Sequence, residues 1–223
     1  MTARTIVTWP APVLSKHAEH VEEINDDVVS LAQDLVDTMN VSFGAGLAAT
    51  QIGELKSVAA IRPGYANLQL PSDPVVLGAI ILVNPHLEPI GKDKFVWEEA
   101  CLSIPNYQGR VRRFKKIKLT YYDLAGKEHQ YVLEGDSAGV VQHETDHLVG
   151  KLFVDRMRPA ERRVVLMSLR RKIKNDQKSQ IKFLKMLASE SEDRQADTAI
   201  VGRPKRKRMS KKKTFGKNKK RKR

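Results

Sequence analysis

Residues 203–223, RPKRKRMSKKKTFGKNKKRKR, hold 14 Lys/Arg and no acid, and this run decides where folded structure can lie. Its like charges repel, and Met209 and Phe215 are all the large apolar material it has to bury, so it is expected to be a disordered tail. Any core in the 223-residue chain must come from the residues before it. Without the tail, residues 1–202 carry 26 basic and 26 acidic groups, so the formal net charge of +14 belongs to the tail. The remainder divides again. Residues 1–155 hold 14 basic and 20 acidic groups, 156–187 hold 11 and 2, and 188–202 hold 1 and 4. The expected layout is an acidic body over 1–158, a basic helix over 159–187, an acidic linker over 188–202 and the tail over 203–223.

Uniform cations such as Lys205, Arg206, Lys207, Arg208, Lys211, Lys212 and Lys213 suit a polyphosphate, with affinity coming from counterion release. One aromatic gives no stacking platform for single strands. The tail therefore reads as a nucleic-acid anchor, or as a solubilising or import-like extension.

Hydrophobic residues make up 41% of the chain, enough for one sizeable core. No apolar run approaches the roughly 18 residues a membrane span needs, so no membrane partner is expected. Cys101 is the single cysteine, which excludes an internal disulfide framework. The first residues show neither a basic segment leading an apolar stretch nor an Arg- and Ser-rich transit pattern. A cytoplasmic monomer is the expectation.

Apolar residues at Ile24, Val28, Leu31, Leu35 and Met39 predict a helix over 25–40, capped by Asn25 with Asp26 and Asp27 at its positive end. Strands are predicted over 57–61, 80–84, 117–122 and 130–134, the last two joined by a turn at 123–127. Residues 63–78, rich in Pro and Gly, read as a surface loop. A second helix is predicted over 137–149, burying Ala138, Val140, Val141 and Leu148. A third starts near Pro159. Strands seldom alternate with helices, so the fold class is α+β.

The sharpest motif is His143-Glu-Thr-Asp-His147. On a helix, positions i and i+4 share a face, so two imidazoles can reach one metal ion. Glu144, about 100° further round, can stand beside the ion as a general base. Asp146 reads as a structural hydrogen-bonder or a solvated acid. A catalytic site usually has a third protein ligand and an open water position. No His follows His147, and Glu161, Glu190 and Glu192 have no supporting motif. Cys101 is the upstream candidate, although a lone Cys is often just a small buried hydrophobe.

Three stretches together resemble the peptide deformylase family. Gly44-Ala-Gly-Leu-Ala-Ala-Thr-Gln51 is similar to its first motif, Gly-x-Gly-Leu-Ala-Ala-x-Gln. Glu99-Ala-Cys-Leu-Ser103 is similar to the second, normally Glu-Gly-Cys-Leu-Ser. Gln142-His-Glu-Thr-Asp-His147 is similar to the third, Gln-His-Glu-x-Asp-His. They occur in the family's order, and the likeness runs from about Trp9 to the basic helix.

The resemblance implies antiparallel sheets packed around a central helix that bears the metal motif. It implies that Cys101, His143 and His147 hold a divalent ion, Fe(II) in the family, with Zn, Ni or Co also compatible with these donors. Glu144 would be the base, and the Leu102 N–H and Gln51 amide would hold the developing oxyanion. Gly44, Ala45, Gly46, Leu47 and Val140 would bind substrate, with Leu47 and Val140 equally suited to plain core, and Glu99 would pair with Arg113 to brace the Cys101 loop. The implied substrates are N-formylmethionyl nascent chains. Docking would be on the ribosome, through the C-terminal helix and tail contacting ribosomal RNA.

Two positions depart from the family pattern. Ala100 stands for a Gly, which would matter if its backbone took positive φ. Gln108 stands for an Arg common near the mouth of the site. An inactive RNA-binding descendant and a general HExxH metalloprotease are the rival readings.

Overall fold

The computed structural model describes residues 3–70 and 78–201, which form two compact units divided after Ser168. The first unit contains the site. Its helix α1 covers Asp26–Val41. The Asn25 side chain accepts from the Val28 N–H at 3.2 Å, with Asp26 and Asp27 in the first turn as expected. Val28, Leu31, Leu35 and Met39 are all buried. The helix closes in a double turn: Phe43 N–H donates to Asn40 O at 3.3 Å and Gly44 N–H to Met39 O at 2.9 Å.

A five-stranded antiparallel sheet follows, in the order β1 (Gly46–Ala48), β2 (Val58–Ile61), β3 (Ile80–Pro89), β6 (Lys116–Tyr122), β7 (Glu128–Glu134). Its middle is covered on both faces, which explains why β2 and the start of β3 are apolar without alternation. Val58, Ala60, Ile81 and Val83 pack with α1. Ile61, Ile80 and Leu82 pack with Ala138, Val140 and Val141 of α2, Asp136–Leu148.

The second sheet is a hairpin of β4 (Lys94–Cys101) and β5 (Ile104–Phe114). Helix α2 packs against strands of both sheets. Gly139 permits the approach to the hairpin, since a Cβ there would lie 2.8 Å from the Trp97 ring. A short α3 (Phe153–Arg156) leads into α4, Pro159–Val201. The architecture is α+β with antiparallel sheets around the motif-bearing helix, as expected.

Several details differ from the sequence reading. β3 runs five residues past 84, and the chain also forms β1, β4 and β5. Within the presumed loop 63–78, Tyr65–Asn67 is a 3-10 turn and Leu68 and Leu70 are buried; residues 71–77 lie outside the described residues. Helix α4 takes in both the basic segment and the acidic stretch after it, as far as Val201. The tail, including Lys205 to Arg208 and Lys211 to Lys213, lies outside the described residues.

Candidate active site

Cys101 ends β4, and Leu102 and Ser103 make the turn into β5. The hairpin register shifts here: Ala100 pairs with Gln108, whereas Cys101 pairs with Ile104. Such a bulge re-aims a side chain. From α2, His143 and His147 present ring nitrogens on one face. Cys101 Sγ lies 3.3 Å from His147 Nε2, which lies 3.3 Å from His143 Nε2. All three donors are buried and lie within 4.8 Å of one another.

The spacing fits a metal ion. Two nitrogens bound tetrahedrally at about 2.05 Å would be about 3.3 Å apart, and a bound sulfur and nitrogen about 3.6 Å apart. A carboxylate only accepts, so the His143 Nδ1 proton goes to Glu99 Oε2 at 2.6 Å, leaving Nε2 as the ligand atom. Glu99 is itself clamped by Arg113, Nε to Oε1 at 2.6 Å and Nη2 to Oε2 at 2.9 Å. Arg113 Nη1 continues to Asp146 Oδ2 at 2.5 Å, and Arg156 closes the network on the same carboxylate at 2.5 and 3.0 Å. Burial pushes the Glu99 carboxyl up, but its bonds to His143 and Arg113 win and hold it below its ordinary value. The Glu99–Arg113 pair, expected from the resemblance, is present. Asp146 is a buried hydrogen-bonder, and its link to Arg156 had no signal in the sequence.

Glu144 is 3% exposed, and its Oε2 has no partner among the described residues. Burial first, then the charge of Glu99, pushes its pKa up to about 7 against the pull of His143 and Arg113. A carboxyl so tuned can both take and return a proton near neutral pH. Gly46 makes room for it: a Cβ there would sit 2.4 Å from Glu144 Oε1. Gln51, in the 3-10 turn Ala49–Ile52, accepts the Ala48 N–H through Oε1 at 2.9 Å. That bond turns its Nε2 toward Cys101 Sγ (3.4 Å) and Ser103 Oγ (3.1 Å).

Gly46, Gln51, Cys101, His143 and Glu144 border a cavity of about 310 Å³, lined also by Gly44, Ala45, Leu102 and Val140. Leu47 takes the core role that its apolar side chain equally suits. It is fully buried among the α1 core residues rather than lining the cavity, because side chains alternate along β1 and its neighbour Gly46 takes the side facing Glu144. Ala100 does not have positive φ, so its Cβ leaves the Cys101 loop unstrained; it is exposed beside Gln108, and both line the cavity. Tyr65 and Trp97 also line the cavity and were not foreseen.

The polypeptide deformylase sequence profile matches residues 3–163. The chain belongs to the peptide deformylase family. A peptide deformylase of Desulforudis audaxviator is 39% identical over 156 residues, covering 70% of this chain and 94% of that protein. One of Aquifex aeolicus is 37% identical over 172 residues, 77% and 98%. Among solved structures, the Legionella pneumophila deformylase shares 34% identity and a TM-score of 0.66, covering 78% of this chain and 97% of that one. The Ehrlichia chaffeensis deformylase in complex with actinonin shares 30% and 0.67, covering 77% and 98%. No helix among the described residues is long and apolar enough to cross a membrane. The family is metal-dependent, and Cys101, His143 and His147 are the one candidate cluster among the described residues.

Proposed function

We propose that this deformylase cavity hydrolyses the formyl amide of N-formylmethionyl nascent chains, with Fe(II) as the native ion and the ribosome as its place of work in the cytoplasm. The observation that carries this is the Cys101/His143/His147 cluster with a buried, partner-free Glu144 Oε2 beside it. Bound there, a divalent ion supplies Lewis acidity and a lowered water pKa. Glu144 takes a proton from water as its oxygen adds to the formyl carbon. The Gln51 amide and Leu102 N–H donate to the developing oxyanion. Glu144 then delivers the proton to the leaving amine, the C–N bond breaks, and formate and a free N-terminus result. Glu99, braced by Arg113, keeps His143 in its ligand tautomer.

The basic face of α4 and the tail 203–223 are the ribosomal RNA contacts in this reading, supported by their cation density. A monomer suffices, since every assigned group comes from one chain. The test is purification without oxygen, metal analysis and formate release from a formyl-Met peptide. About one ion per chain with turnover is expected. One bound ion without turnover overturns the assignment.

A further inference from the structure

Phe43 occupies the position just past the cap of α1 at φ +54. Glycine is the usual residue there because a side chain in left-handed backbone is strained. In this chain the glycine comes one residue later, at 44. Phe43 is also 92% exposed, the most exposed large apolar residue among those described. Neither the local backbone nor the core gains from the ring, and strain retained under such conditions points to function.

Its surroundings supply one. Phe43 borders a groove of about 1120 Å³ that continues outward from the metal cavity and shares Gly44, Ala45, Cys101 and Leu102 with it. Tyr65, 43% exposed, and Tyr107 add further aromatic surface to the groove. Its lining contains no carboxylate among the described residues. Once the formylated residue fills the inner cavity, the residues after it have this groove as their continuation.

We propose that Phe43, with Tyr65, selects among substrate chains by the second or third residue, favouring large apolar side chains over small polar ones. This rests on the deformylase reading of the cavity. Formate release is to be measured on two peptide series, with Leu, Phe or Ser at the second residue and then at the third. The wild type is expected to prefer Leu and Phe about five- to tenfold in kcat/KM at one of these positions, mainly through KM. Phe43→Gly should bring the ratio below about twofold while raising the melting temperature, and Phe43→Leu should keep most of the preference. A flat wild-type ratio, a ratio that survives Phe43→Gly, or a lower melting temperature in that variant would overturn the proposal. A wild type that releases no formate would instead overturn the deformylase reading.

Discussion

Gly46 and Glu144 are neighbours only because one of them has no side chain. A Cβ at 46 would lie 2.4 Å from the Glu144 carboxylate oxygen, so the carboxylate itself has to swing aside. Gly46→Ala is therefore expected to bind one ion and melt close to the wild type, yet lose about a hundredfold or more in kcat. Metal analysis beside steady-state kinetics checks this. Glu99→Gln acts differently, since Arg113 loses a charge partner in a buried site. Because Arg113 keeps Asp146 at 2.5 Å, the variant is expected to lower stability by about 1–3 kcal/mol and weaken metal binding ten- to a hundredfold, measured by denaturant titration and competition with a chelator. At this scale the sequence was most readable where spacing encodes geometry, as in His143 and His147. It was least readable where a partner comes from elsewhere: Arg156 reaches Asp146 through α3, and Leu47 faces the core because of strand parity.

Turns and strands differed in legibility for a physical reason. The turn 123–127 was readable because Asp123 does what an Asp does in a turn, accepting the Ala125 and Lys127 N–H groups through Oδ1 at 3.0 and 2.9 Å. Strands β4 and β5 were not, because the buried charges of Glu99 and Arg113 sit where alternation calls for apolar residues. The Asp123 carboxyl is pushed up by burial, but its bond to His129 at 2.7 Å and the two N–H groups outweigh this and hold it below its ordinary 3.8. A carboxyl lowered on folding adds stability that is complete above the unfolded value and is lost as pH falls through the folded one. Asp123→Ala should thus cost about 1–2 kcal/mol at pH 7, and the gap should narrow below about pH 4. Urea unfolding of both proteins across pH 2–7 measures it.

Charge separates the molecule into a site-bearing body and a cationic extension, and the two should be separable by experiment. Deleting 203–223, with its 14 cations, is expected to leave turnover on short peptides unchanged. It should weaken co-sedimentation with ribosomes and flatten the salt dependence of what remains. Undiminished co-sedimentation would remove the tail from the docking account. The body has its own long-range dependence. Cys101 and His147 are 46 residues apart and belong to the hairpin and to the central helix. An ion between them is a cross-link that exists only in the folded chain, and at a thousand times its Kd it would add about 4 kcal/mol. Chelation should accordingly lower the melting temperature as well as abolish turnover. The only thiol in the chain is one end of that link, so the supply of the ion sets how long a molecule lasts among proteases as well as how fast it works.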